Sequence, residues 1–412
     1  MRKWLALTLS VLLLFSLVAC GTTEGGESSD VPTSSESELP TSSDTPDASS
    51  EPDASVEPDA SSEPSSTTGS TATTTTTTTG RDTTTKPTKT TKTTTSTTAK
   101  PNVQKNILCW GDSLTDGMGM ENYSGKKYPD ALQALLGDEY KVWNGGYSGD
   151  KSVAIMSRQG AYKLTTKDAI TFKAGEKTVK LGLRKEGFGF VTDDGTVLTG
   201  MNVQIGSGEY KRSNNYLLIN PITIGGESYK LGTTFDGVDK AEDGAYYVTL
   251  TREDASAAKT IPAGSKVVLS NSHMSDDSYC EVILMGANDG LGTSEADTNT
   301  LVARYQKMID HMGHDRYIVI IPYWGDGAHT EGFKKAFGDH AICLFDEINA
   351  DTMKSVGVTA TQSDLNMLAK KKIPISLQYS KKAPDHLHLN EYGYKLLAKF
   401  IHERGQKLGY WK

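Results

Sequence analysis

The stretch GDSLTDG, residues 111–117, places a serine beside a carboxylate, straight after the apolar run NILCW (106–110). A hydroxyl held at the end of a buried strand becomes a nucleophile only when a base accepts its proton. His388, in DHLHLN (385–390), is the candidate base. Asp385, three residues earlier and within one turn, can orient and stabilise the imidazole. Attack on an acyl carbonyl then develops an oxyanion that needs donors already in place. The N–H of Ser113, the N–H of Gly149 in NGGYSGDKS (144–152) and the side-chain amide of Asn288 in MGANDG (285–290) are the candidates. Each piece has a plainer reading: Ser113 as a helix cap, Gly149 as a turn glycine with positive φ, Asn288 as a turn residue. His386 reads as a bystander to His388.

Five short, near-continuous apolar runs would have to carry these groups: NILCW (106–110), YKVWN (140–144), CEVILMG (280–286), YIVIIPY (317–323) and AICLFDE (341–347). Such runs suit strands of a parallel sheet buried on both faces. Helical spacing lies between most of them. YPDALQALLG precedes the second run, and TLVARYQKMIDHMG precedes the fourth with Leu301, Tyr305, Met308, Ile309 and Met312 in register. The last helical segment sets Leu396, Leu397, Phe400 and Ile401 on one face. Alternating strands and helices predict a doubly wound α/β domain over 103–162 and 276–412. All four chemical stretches then fall at the carboxyl ends of strands or in loops at that edge, where such sheets bind ligands. Tyr323, Trp324, His329 and Phe333 follow the fourth run and are candidates to line the cleft.

Residues 163–275 break the alternation. They are rich in Gly, Thr, Val and Tyr. Hairpins are expected about Asp194-Gly195 and Gly225-Gly226, and further strands in AYYVTLTRE (245–253) and AGSKVVLSN (263–271). The expectation is a small antiparallel β-domain inserted into the α/β domain. It should leave from the sheet edge opposite the ligand crevice, so that replacing it with a linker leaves turnover of a small ester intact. Its loops would enter the site only about Tyr246 or Tyr229.

The first twenty residues read as a secretory signal: Arg2 and Lys3, then an apolar run ending in small residues. The terminal LVAC resembles the bacterial lipobox. That resemblance implies cleavage before Cys20, lipidation of its thiol, and anchorage at the outer face of the bacterial cytoplasmic membrane. Residues 21–102 have no apolar periodicity and read as a disordered Ser/Thr/Pro/Asp/Glu-rich tether. Twelve acidic residues and no basic ones occupy 21–64, whereas residues 103–412 carry a formal charge of only −2. A near-neutral body gives no argument for a nucleic-acid partner. Cys109, Cys280 and Cys343 lie inside apolar runs and read as buried thiols. No Cys/His spacing suggests a metal and no glycine-rich turn suggests a phosphate or dinucleotide cofactor, so no cofactor is expected.

Taken together and in order, the four stretches resemble the four blocks of the SGNH (GDSL) hydrolase superfamily. GDSLTDG matches the nucleophile block, NGGYSGD the glycine block, GANDG the Gly-x-Asn-Asp block and DHLH the Asp-x-x-His block. The match spans about 103–160 and 276–412 and omits the insert. It implies a flavodoxin-like sheet in the order 2-1-3-4-5 and ester hydrolysis through an acyl-Ser113 intermediate. It implies no particular substrate, because the superfamily includes lipases, thioesterases and carbohydrate deacetylases. The expected activity is removal of acyl groups, acetyl above all, from an extracellular glycan. The alternative from another class is a non-catalytic surface protein that binds glycan through the β-insert.

Overall fold

The computed structural model describes residues 104–118, 126–184, 186–203, 215–235, 246–379 and 385–412. The signal, Cys20 and the tether lie outside the described residues, as does the side chain of Tyr246.

Five strands form one parallel sheet: β1 (Lys105–Gly111), β2 (Tyr140–Gly146), β3 (Ser278–Leu284), β4 (Tyr317–Ile320) and β5 (Ala341–Ile342). Their hydrogen-bonded order is β5-β4-β3-β1-β2. Ile107 of β1 pairs with Val142 on one side and Cys280 on the other. Ile107 through Trp110 are fully buried. That explains an unbroken apolar run where a half-exposed strand would alternate. Cys109, Cys280 and Cys343 are buried free thiols.

The helices that frame the site include α1 (Ser113–Asp116), α2 (Tyr128–Leu136), α3 (Ser152–Gln159), α4 (Glu295–His311), α5 (Thr330–Phe337) and α6 (Glu391–Lys407). A capping box between Ser294 and Asp297 starts α4, which buries Leu301, Tyr305 and Met308. Asn390 caps α6, accepting from the N–H groups of Tyr392 and Gly393. The apolar face of α6, with Leu396, Leu397, Phe400 and Ile401, is buried as its spacing requires. One expected strand divides. AICLFDE contributes only Ala341–Ile342 to the sheet, and Leu344–Glu347 turn into a short helix. Leu344 and Phe345 stay buried either way. A short apolar run carries no sign of which backbone form buries it.

Among the described residues of 163–275, seven strands form a separate antiparallel sheet and two more form a ribbon. Ile222–Ile224 pairs with Glu227–Phe235 through a turn at Gly225-Gly226. Thr192 and Thr196 close the turn at Asp194-Gly195. The strands Leu164–Thr166, Ile170–Phe172, Thr178–Leu183 and Lys259–Ile261 had no clear sequence signal. Three of the four are only three residues long.

The insert does not stay at the far edge of the parallel sheet. Residues 215–217 run along the outer side of β2, where Asn144 and Tyr216 form a parallel bridge. The Asn144 N–H donates to Asn215 and its carbonyl accepts from Leu217. β2 ends the sheet, so its outer backbone groups need a partner. The packing is shared as well. Tyr147 and Ala154 belong to the apolar core of the insert, and Leu217 belongs to the core of the parallel sheet.

Glu281 on β3 is fully buried. It accepts hydrogen bonds from Gln159 Nε2 at 2.8 Å and Ser278 Oγ at 3.1 Å. Burial outweighs these donors and pushes its carboxyl up to about 7. Between the ordinary carboxylate range and that value, the native state keeps a proton that the unfolded chain releases. Stability therefore falls as pH rises through this window, by about 3 kcal/mol, and levels off above it. Glu281→Gln should make the decline in melting temperature between pH 5 and pH 8 shallower. Parallel pH profiles for wild type and variant would refute this.

Candidate active site

The nucleophile stretch is shaped by close backbone approach. A Cβ on Gly111 would lie 2.1 Å from Thr115 Oγ1 and 2.4 Å from the Leu284 carbonyl. Only glycine lets β1 end this tightly against β3 and the turn into α1. Asp112, not Ser113, caps that helix, accepting from the Leu114 N–H at 3.0 Å. Ser113 is left as the first helical residue, and its side chain has no capping task.

Ser113 Oγ is 2.9 Å from His388 Nε2. His388 Nδ1 is 2.5 Å from Asp385 Oδ2. The other oxygen of Asp385 accepts from the N–H groups of Leu387 and His388 at 3.0 and 2.9 Å. Burial opposes ionisation of Asp385, but the His388 side chain and these two N–H groups outweigh it. The carboxyl is held below its ordinary value. Below the turn, Tyr323 is buried and its hydroxyl donates to the Leu387 carbonyl at 3.2 Å. His386 adopts a positive φ of 58° and faces Gln378, not Ser113.

Gly149 has φ 81° and open space around it. Conformation, not room, demands glycine there. Among the described residues, the N–H groups of Gly149 and Ser113 have no protein acceptor. Asn288 Nδ2 donates to the Asp150 carbonyl at 3.0 Å, which ties the Asn288 loop to the Gly149 loop. Asp289 anchors the same loop. One of its oxygens accepts from the Ser152 N–H at 2.7 Å, and the other meets Arg304 Nη1 at 2.6 Å.

Asp150 has a structural role that its motif did not reveal. It and Arg158 are fully buried, and Arg158 Nε donates to its Oδ2 at 2.9 Å. Arg158 also donates to the carbonyls of Gly145 and Gly111 at 2.5 and 3.1 Å. One guanidinium therefore joins the ends of β1 and β2 to the glycine loop. Burial raises the Asp150 carboxyl to about 6, against the pull of Arg158 and the Asn202 N–H. Burial raises that of Asp112 to about 7, opposed by the Leu114 N–H.

Of the four aromatic cleft candidates, Phe333 is fully buried against Tyr305 and His329 is buried against Thr298. Trp324 is half-buried, beside Gly286 at the start of the Asn288 loop. Tyr379 was not singled out by the sequence. It is exposed, and its N–H donates to the His388 carbonyl at 2.9 Å. Tyr229 is buried in the insert, stacked on Phe172, and is no part of this site.

The chain matches the GDSL-like lipase/acylhydrolase family over residues 107–401. It belongs to that family. An acetylxylan esterase of Xylanibacter ruminicola is 36% identical over 80 residues, which cover 18% of this chain and 16% of that enzyme. The aligned part is thus a small fraction of the relative's length. A solved structure titled for a peptidoglycan O-acetylesterase covers 75% of this chain and 92% of its own, at 12% identity and a TM-score of 0.25.

Proposed function

We propose that this GDSL hydrolase is a serine esterase that removes acetyl groups from a glycan through an acyl-Ser113 intermediate. The observation that carries this reading is the hydrogen-bonded line from Ser113 through His388 to Asp385. In the first half-reaction, Ser113 Oγ attacks the acyl carbon and its proton passes to His388 Nε2. The ester C–O bond breaks as His388 returns that proton to the leaving sugar oxygen. Water then attacks the acyl-serine, with His388 again as base, and releases acetate and free Ser113. Asp385, ionised, stabilises the imidazolium formed in each half. The N–H groups of Ser113 and Gly149 and the amide of Asn288 receive the oxyanion.

Two features support the glycan. The Xylanibacter relative is named for acetylated xylan. The half-buried Trp324 and the exposed Tyr379 lie beside the Asn288 and His388 loops, where aromatic faces suit a sugar ring. The signal-like first twenty residues would deliver the enzyme to a glycan outside the membrane. Measured acetate release from a panel of acetylated polysaccharides should be positive for at least one of them. Nitrophenyl acetate should be hydrolysed much faster than nitrophenyl palmitate. Turnover of the small ester with no acetate from any polysaccharide would remove the glycan, and a preference for the long chain would point to a lipase.

A further inference from the structure

The peptide between Ser148 and Gly149 is a single planar unit: its carbonyl belongs to Ser148 and its N–H to Gly149. Whatever holds the carbonyl therefore aims the N–H on the opposite side. Gly149 cannot hold itself, because it is exposed, has no side chain, and has a backbone that rotates easily. The Ser148 carbonyl accepts from Asn202 Nδ2 at 2.9 Å. Asn202 is a residue of the β-insert.

We infer that Asn202 is a positioning residue that keeps the Gly149 N–H aimed at the oxyanion, so that the insert is part of the catalytic unit. This rests on the esterase reading of Ser113. The attachment has several points. The Asn202 N–H donates to Asp150 Oδ1 at 2.5 Å, on the other side of Gly149. The Lys151 N–H donates to the Gly200 carbonyl at 2.9 Å. On the remaining flank, Asp116 Oδ2 accepts from the Ser148 N–H and hydroxyl at 3.2 and 2.7 Å. Its Oδ1 accepts from the hydroxyl of Tyr216, again from the insert, at 2.8 Å. Thus the insert grips the glycine loop directly through Asn202 and Gly200, and through Asp116 by way of Tyr216. A donor on the Ser148 carbonyl also polarises the peptide and strengthens its N–H as a donor.

The test uses the full chain and four variants: Asn202→Ala, Asn202→Asp, Ser113→Ala and, as a control within the insert, Lys259→Ala. Asn202→Asp keeps the size of the side chain and the backbone bond to Asp150 but replaces the amide donor with an acceptor. Kinetics on nitrophenyl acetate are read below the melting temperature of each variant, so that unfolding is not mistaken for lost turnover. Both Asn202 variants should lose about 10- to 100-fold in kcat with KM changed less than threefold, as expected when an oxyanion donor is misaimed. Binding of an alkyl boronic acid, which forms a tetrahedral adduct on the serine, should weaken by a similar factor. A merely structural role would lower the melting temperature and leave both readouts alone. Lys259→Ala should behave as wild type. Wild-type kcat and boronate affinity in either folded Asn202 variant, with Ser113→Ala inactive, would overturn the positioning role. Retained turnover in Ser113→Ala would instead overturn the reading on which it rests.

Discussion

Ser113→Ala should lower hydrolysis of a small acetyl ester by about 10⁴- to 10⁶-fold while leaving the fold intact. The fold survives because Asp112, not Ser113, caps α1, so the substitution removes one hydroxyl and no helix-start contact. His388→Ala should fall nearly as far. The double variant should fall no further, since base and nucleophile act as one unit. Asp385→Ala should cost less, because His388 can still accept the proton, though without the partner that holds its ring. An organophosphorus reagent should label Ser113 alone. The nearby Ser148 hydroxyl is committed to Asp116 at 2.7 Å. Labelling at Ser148, or turnover by Ser113→Ala within tenfold of wild type, would reassign the nucleophile.

Replacing residues 163–275 with a short Gly/Ser linker should abolish turnover of the same small ester, with a loss of at least 100-fold. Taken alone, the sequence suggested the opposite. Closing the chain is not the obstacle, since each doubling of loop length costs only about 0.6 kcal/mol. The obstacle is what the excision removes: Asn202 from the Ser148 carbonyl, Gly200 from Lys151 and Tyr216 from Asp116. It also strips Tyr147 and Ala154 of their apolar surroundings and takes Leu217 out of the parallel-sheet core. The purified variant is judged by its melting temperature and by kcat/KM on nitrophenyl acetate. A folded deletion variant within tenfold of wild type would show that the insert is an appendage.

Residue types in four short blocks were enough to single out Ser113, His388, Asp385, Gly149 and Asn288 as candidates, and the apolar runs and the composition of residues 163–275 were enough to expect a parallel sheet with a β-rich insert. Those features are legible because they are local. A glycine forced by a tight turn, a histidine three residues from its carboxylate and an apolar run buried on both faces all show in spacing and composition. The division of labour between Asp112 and Ser113 was not legible, since either residue type can cap a helix and only the backbone path decides which one does. Nor was the split of AICLFDE between β5 and a helical turn, because both forms bury the same side chains. The clamp on Gly149 was furthest from view. Arg158 reaches Gly111 across 47 residues of chain, Asn202 reaches Ser148 across 54, and Tyr216 reaches Asp116 across 100. Side-chain bonds to residues far along the chain leave no periodicity or motif in the residues that make them. An asparagine in a Gly- and Thr-rich β-segment looks like any other turn residue until the sheet edge at β2 draws that segment back against the loop it holds.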